Sequence, residues 1–290
     1  MSDGAWYSET LHEGVRLSLE SRRVLHSQDT PHQKLALIDT VAFGKVLMLD
    51  EVIQVTSADE FIYHEMLAHV PILGHGAVED VLIVGGGDCG LAEEVLKHRG
   101  VATLTQVEID ASVVDFAREH FSEFNAPVFE DARFGLEIAD GARFVEETDR
   151  RFDVVIIDST DPVGPGKILF EEPFYQGVRR CLKPGGIMVS QNGVPFLQRR
   201  EFVSAITGMQ RSFPVVSPYV ISVPTYFGGH MTLGWASDSR AALDISLDAL
   251  SRRFDAAAIE TRYYTPRVHQ AAFALPRFIE QALEEGRAAA

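Results

Sequence analysis

Two aspartates three positions apart, Asp158 and Asp161, stand in the stretch Asp158-Ser159-Thr160-Asp161-Pro162-Val163-Gly164-Pro165. Carboxylates so placed can hold a cation and accept a proton. Phe152 to Ile157 (FDVVII) precedes them, an apolar, β-branched run with the pattern of a buried parallel strand. Both acids are therefore expected at the carboxyl end of a sheet strand, where open α/β folds bind ligands. Prolines stiffen the loop that carries them. Such a loop suits a ligand with amines better than one with phosphates.

A second constellation lies upstream. Gly85, Gly87 and Gly90 satisfy G-x-G-x-x-G after the apolar run Val81 to Val84 and before a helical pattern. Glu108 follows at the end of the next expected strand, where a carboxylate meets ribose hydroxyls in nucleotide-binding folds. Read literally, the pattern means NAD. Asp88 opposes that reading, because it puts negative charge where a pyrophosphate would sit. Two unit charges ~4 Å apart at an effective dielectric of ~20 repel by about 4 kcal/mol. A ligand with an adenosine and a cationic tail, such as S-adenosylmethionine or its relatives, avoids that repulsion. Taken singly, Asp88 is also a good helix cap and Glu108 an ordinary strand end; with the glycines they point to a nucleoside site. Cys89, inside the loop, reads as a small packing residue and not as a nucleophile.

The elements that must position these residues alternate in type. The first 60 residues or so read as β structure, with strands over 15–20 and 34–40. Val46 to Leu49 and Val52 to Thr56 form a hairpin across Asp50-Glu51. A helix from about Glu60 to Pro71 carries Tyr63, His64 and His69. Strands are expected at 81–84, 103–109, 136–138, 152–157 and 187–190, separated by helices over 91–98, 111–120, 144–147 and 174–182. Lys183-Pro184-Gly185-Gly186 is the last helix's stop. A helix over 199–211 and a closing hairpin near 215–223 and 231–236 complete the pattern. Alternating strands and helices imply an α/β fold with a doubly wound parallel sheet. The division expected is an N-terminal β-strand domain, 1–58, and a Rossmann-like catalytic domain, 59–290.

Bulk properties bound the function. The 290 residues carry 26 basic and 42 acidic side chains, a net charge of −16, which opposes non-specific binding to nucleic acid. Cys89 and Cys181 are the only cysteines and have no metal-type spacing. His64 and His69 lack the spacing of one metal-binding helix face, so no metal is expected. The first 30 residues contain no apolar signal core, and no run approaches the ~20 apolar residues of a membrane span. A soluble, cytoplasmic protein is the expectation.

These residues resemble the spermidine synthases, the polyamine aminopropyltransferases, over nearly the whole chain. The resemblance rests on Trp6-Tyr7-Ser8-Glu9, His32-Gln33, Val46 to Asp50, Val52 to Thr56 and Asp59-Glu60-Phe61-Ile62-Tyr63-His64-Glu65-Met66. It continues through Gly85-Gly86-Gly87-Asp88, the Asp158 to Pro165 loop, Ser190-Gln191-Asn192-Gly193 and Pro224-Thr225-Tyr226. Tyr63-His64 is the form found in bacterial members. The family fold it implies is a small N-terminal β domain followed by a methyltransferase-like Rossmann domain. The implied reaction moves the aminopropyl group of decarboxylated S-adenosylmethionine, a co-substrate, to putrescine. The products are spermidine and methylthioadenosine.

Carried over by position, Gln33, Glu108, Asp140 and Gly141 hold the nucleoside, Pro165 lines the adenine, and Gln54 lies nearby. Asp88 binds the aminopropyl ammonium. His64, Asp88 and the loop Asp158, Ser159, Thr160 and Asp161 meet the polyamine. Asp158 is the proton acceptor, assisted by Tyr63 and Tyr226. The family commonly forms homodimers or homotetramers. Cys89 departs from the family, which usually has glycine after the aspartate; it is tolerable if its backbone is helical and strained if φ is positive. Residues 160–167 are the candidate lid. The alternatives are a diamine N-methyltransferase on the same fold, a non-catalytic polyamine-binding protein, and an NAD-dependent oxidoreductase, which Asp88 opposes.

Overall fold

A computed structural model describes residues 5–30, 33–160 and 164–289. His32, Asp161, Pro162 and Val163 lie outside the described residues, and Gly164 and Pro165 enter through their backbone alone.

Five antiparallel strands form the first sheet, in the order β1 (Ala5–Glu9), β2 (Leu17–Asp29), β3 (Lys34–Thr40), β4 (Gly44–Leu49) and β5 (Val52–Thr56). The β4–β5 turn is the expected one. Asp50 and Glu51 have φ of 49° and 66°, the two positive values that a tight hairpin turn requires. Strand β2 is longer than its alternation suggested. Register shifts between Ser21 and Arg23 and between Val24 and His26 break the two-residue period, so the sequence pattern fades while the strand continues.

Helix α1 (Glu60–His75) follows and is buried at every residue except Phe61 and His75. It runs four residues past Pro71, where the sequence suggested a stop. A mid-helix proline removes one N–H without ending a helix held on all sides. Gly76 closes it at φ 80°, its N–H on the Ile72 carbonyl.

The remaining elements are β6 (Asp80–Gly85), α2 (Gly90–Leu96), β7 (Thr103–Glu108), α3 (Ala111–His120), α4 (Ser122–Asn125), β8 (Phe134–Ile138), α5 (Gly141–Glu147), β9 (Phe152–Asp158), α6 (Glu172–Cys181), β10 (Leu182–Gln191), α7 (Arg199–Ser212), β11 (Val215–Ile221), β12 (Met231–Ser237), α8 (Leu247–Ala257), α9 (Pro266–Ala272) and α10 (Arg277–Ala289). The second sheet has the order β11-β12-β10-β9-β6-β7-β8. Strands β10, β9, β6, β7 and β8 are parallel, and the β11–β12 hairpin adds an antiparallel edge.

Val81 and Ile83 pack toward one face, with α1 and α2; Leu82 and Val84 pack toward the other, with α6 and α7. This two-sided burial explains the unbroken apolar runs of the strands. The first sheet lies on α3, with Leu35, Leu37, Leu47 and Val55 against Val113, Phe116 and Phe121. The chain leaves β6 in one direction for β7 and β8, then returns to place β9 and β10 on the other side. The β6 and β9 loops therefore face each other at the topological switch point. Among the described residues no helix is long and apolar enough to cross a membrane.

Candidate active site

The switch point opens into a cavity of about 710 Å³, walled by the first sheet, α1 and the carboxyl ends of β6, β7, β8 and β9. That volume suits a ligand of nucleoside size with a tail. Gln33, Gln54, Tyr63, His64, Asp88, Glu108, Asp140, Gly141, Asp158, Ser159, Thr160 and Tyr226 all line it. Every described candidate from the sequence is thus brought to one space.

The glycine loop is fixed by what it must avoid. Gly85 has φ 87°, and a Cβ there would meet the Asp158 carbonyl oxygen at 2.0 Å. Glycine lets β6 and β9 stay paired up to Gly85 opposite Asp158, with the Gly86 N–H donating to that carbonyl at 2.8 Å. At Gly90 a Cβ would meet the His64 ring at 2.4 Å. Two braces hold the loop that sequence reading missed. Gln106 Nε2 donates to the carbonyls of Gly85 (3.0 Å) and Gly86 (2.6 Å), and Asn125 Nδ2 donates to the Asp88 carbonyl at 2.9 Å. Both are buried amides on ordinary polar positions, so only the fold reveals them.

Cys89 takes the strained alternative, with φ 62° and ψ 11°. A left-handed conformation costs a non-glycine residue roughly 1–2 kcal/mol. Its side chain is fully buried, and burial pushes the thiol pKa up, with the Asp88 charge adding to the rise. It is a packing residue, as expected from sequence.

Three carboxylates stand along one wall of the cavity, each fixed by N–H groups of its own turn. Asp88 Oδ1 accepts from Gly90 N, the first N–H of α2, at 2.7 Å while facing the cavity. Glu108 Oε1 accepts from Asp110 N at 2.9 Å. Asp140 caps α5, accepting from Ala142 N at 2.8 Å and Arg143 N at 3.2 Å. Burial pushes the Glu108 pKa up to about 7, against the N–H groups of Asp110 and Ile109. Gln33 reaches from the first sheet to Asp110 Oδ2 at 3.3 Å, and Gln54 Nε2 donates to the Val52 carbonyl at 3.2 Å.

The opposite wall is built across the chain. Tyr63 Oη donates to Asp158 Oδ1 at 2.8 Å. Burial, and then the Asp88 charge, push the Asp158 pKa up to about 6, although His64 and the Tyr63 bond pull the other way. Burial, and then Asp158, raise the Tyr63 pKa, so its hydroxyl remains a donor. His64 Nδ1 lies 3.0 Å from Glu60 Oε2, and Nε2 lies 3.5 Å from Asp88 Oδ1. Burial alone would lower the His64 pKa; Asp88 and Glu60 outweigh it and raise it. Both ring nitrogens face carboxylates, which places His64 behind Asp88. Glu60 is a partner that sequence reading did not assign.

Gln191 Nε2 donates to the carbonyls of Ser159 and Thr160, both at 3.1 Å, and steadies the chain after Asp158. The Tyr226 ring meets Tyr63 edge-on at 5.7 Å, and its hydroxyl donates to the Gln54 carbonyl at 2.5 Å.

Residues 60–246 match the spermine/spermidine synthase domain, and residues 5–57 match the spermidine synthase tetramerisation domain. The chain belongs to the spermidine synthase family. It is 48% identical over 281 residues to the polyamine aminopropyltransferase of Ruegeria sp. (strain TM1040), covering 97% of this chain and 99% of that protein. The polyamine aminopropyltransferase of Klebsiella pneumoniae is 48% identical over 283 residues, covering 98% and 99%. A spermidine synthase solved in complex with the transition state analogue AdoDATO superposes with a TM-score of 0.92 at 35% identity, covering 97% of this chain and 95% of that one. The spermidine synthase from Thermotoga maritima gives 0.90 at 35% identity, covering 97% and 94%. As a spermidine synthase family member the chain is an aminopropyltransferase, with an N-terminal β-sheet domain and a Rossmann-like methyltransferase fold.

Proposed function

We propose that this aminopropyltransferase takes decarboxylated S-adenosylmethionine as donor and putrescine as acceptor, releasing spermidine and methylthioadenosine, with Asp158 as proton acceptor. The observation that carries the reading is the pairing of two loops at the switch point. Gly85 sits opposite Asp158, so Asp88 and the Tyr63-bound Asp158 face one cavity from adjacent strands.

The roles follow from charge and hydrogen-bonding capacity. Glu108 and Asp140, with Gly141, Gln33 and Gln54, take the nucleoside; Pro165 belongs to the adenine side by family position. Asp88 takes the donor's ammonium. Asp88 brings its carboxylate to the cavity, with His64 and then Glu60 behind it and Arg262 3.8 Å from Glu60, so the cavity-facing charge of the tail subsite favours a cation.

In the reaction the amine nitrogen forms a bond to the carbon beside sulfur, and the carbon–sulfur bond breaks toward a neutral thioether. The leaving group needs no acid. Freeing the amine's lone pair is the difficult step: with a lysine-like pKa of about 10.4, it costs roughly 4–5 kcal/mol near pH 7. The nitrogen's proton passes to Asp158. A carboxylate at about 6 is a stronger base than an ordinary one and still ionised at neutral pH. Tyr63 orients it, and Tyr226 supports Tyr63. Ser159, Thr160 and Asp161 complete the acceptor side by family position.

The same reading divides the chain into domains at residues 58 and 59, between the end of β5 at Thr56 and the start of α1 at Glu60. Assembly into homodimers or homotetramers is supported by the match to a tetramerisation domain. A cytoplasmic location agrees with two buried, unpaired cysteines.

The test is mass spectrometry after incubation with putrescine and, separately, decarboxylated and intact S-adenosylmethionine. Spermidine with methylthioadenosine from the decarboxylated donor is the expected result. Methylputrescine from the intact donor would replace this reading with a methyltransferase, and binding without product would leave a polyamine-binding protein.

A further inference from the structure

Asp59 occupies the N-cap position of α1, where aspartate usually accepts the helix's first N–H groups. Its side chain makes no capping hydrogen bond. The buried carboxylate is turned outward and gathers three other donors. Oδ1 accepts from Thr56 Oγ1 at 2.6 Å, and Oδ2 accepts from the Thr225 backbone N–H at 2.8 Å and from Thr225 Oγ1. Thr225 is 166 positions away in the chain. A residue suited to local capping is used instead for a long-range, charge-assisted tie.

We infer that Asp59 is a positioning residue for the acceptor half of the site, setting Tyr226 against Tyr63 and thereby tuning recognition of the diamine. This rests on the aminopropyl-transfer reading above. Tyr63 lies one helical turn beyond Asp59, and Tyr226 follows Thr225. Their rings meet edge-on at 5.7 Å and 84°. Tyr226 Oη reaches the Gln54 carbonyl on β5, and β5 ends at Thr56, whose hydroxyl returns to Asp59. The contacts close a ring through the start of α1, the end of β5 and the β11–β12 connection.

That connection needs an anchor. Gly228 and Gly229 sit at φ 120° and 103° within it, and glycines add conformational freedom. Thr225 is nevertheless buried, and Thr225, Tyr226 and Phe227 all line the cavity. The ring includes neither Glu108 nor Asp140 and uses only the backbone carbonyl of Gln54, so its loss should act on the acceptor more than on the nucleoside.

The experiment is steady-state kinetics with putrescine and decarboxylated S-adenosylmethionine, together with methylthioadenosine binding and thermal melting. Thr225→Val removes one hydroxyl donor and keeps both the shape and the backbone N–H. It should raise KM for the diamine about tenfold, the scale of one lost hydrogen bond to a charged group. KM for the donor and the methylthioadenosine Kd should stay near wild type, while the melting temperature falls by a few degrees, the fold's own share of the lost bond. Thr225→Ser should restore the diamine KM, and Asp59→Asn should exceed Thr225→Val in the same direction. An unchanged diamine KM in Thr225→Val, or equal losses for donor and diamine, would overturn the inference. A wild-type chain that forms no spermidine would overturn the proposed function first, and this inference with it.

Discussion

The two walls of the cavity are built on different principles. On the nucleoside wall, Asp88, Glu108 and Asp140 each accept an N–H from two residues further along the chain. Each carboxylate is placed by its own turn, at the end of its own strand. On the acceptor wall, Tyr63 meets Asp158 across 95 positions and Tyr226 meets the Gln54 carbonyl across 172. No short segment contains that geometry; the whole fold has to assemble it. The difference teaches where binding and chemistry can be separated. In the proposed reading nucleoside affinity depends on local turns, whereas turnover depends on long-range packing around one desolvated carboxylate.

Asp158→Asn should widen this contrast most. Turnover should fall about 10²–10⁴-fold, the usual contribution of a positioned base, while methylthioadenosine affinity stays within about twofold. Near-normal turnover would remove the assignment of Asp158.

The nucleoside wall has its own signature in pH. Glu108 is held up to about 7 by burial in the free protein, and ribose hydroxyls favour its ionised form. Binding should therefore release a proton. Methylthioadenosine affinity should rise about tenfold from pH 6 to pH 8 and then level off. Calorimetry with Glu108→Gln should show a flat profile; a flat wild-type profile would contradict the assignment.

Stability gives a smaller effect on the acceptor side. The folded pKa of Asp158, about 6, lies above the ordinary carboxylate value, so the native state binds the extra proton between about pH 4 and 6. Stability from this group is lost as pH rises through that window. Asp158→Asn should then stabilise the fold by on the order of 2 kcal/mol in urea melts at pH 7.5 and by little at pH 4. The smallest effect belongs to the glycine loop. At left-handed Cys89, glycine should be more stable than alanine by about 1 kcal/mol, because both lose the thiol's packing and glycine alone relieves the strain.

The nucleoside wall was readable in the sequence because its signals are local. The glycine spacing with Asp88 and the Asp50-Glu51 turn each fit within a few residues, whereas Asp140 and Gly141 entered through the family resemblance. The parallel strands showed as apolar runs because both faces are covered. On the acceptor wall Asp158 was legible as an acid at a strand end, but its partners Tyr63 and Tyr226, far apart in the chain, became visible only through family resemblance. The braces were not visible at all. Glu60, Asp59, Gln106 and Asn125 are common polar types at unremarkable positions, and their pairing exists only after folding.

Backbone conformation at Cys89 was equally hidden, because cysteine carries no preference that would mark a positive φ. Helices α8 and α9 are a different case. Ser246 accepts from Ala249 N and Thr265 from Val268 N, with Pro266 at the first turn of α9. Those capping signals were present in the sequence and went unread.

The central claim is that the tail subsite at Asp88 selects a cation and so commits the adenosine ligand to aminopropyl transfer. The direct measurement is calorimetric affinity for decarboxylated and intact S-adenosylmethionine, in wild type and in Asp88→Asn. The carboxylate of the intact cofactor would meet the cavity-facing carboxylate of Asp88, a repulsion of a few kcal/mol at ~4 Å. The decarboxylated donor should bind at least about tenfold tighter to wild type, and the preference should collapse in Asp88→Asn. Equal affinities in wild type, or a preference untouched by the substitution, would contradict the account.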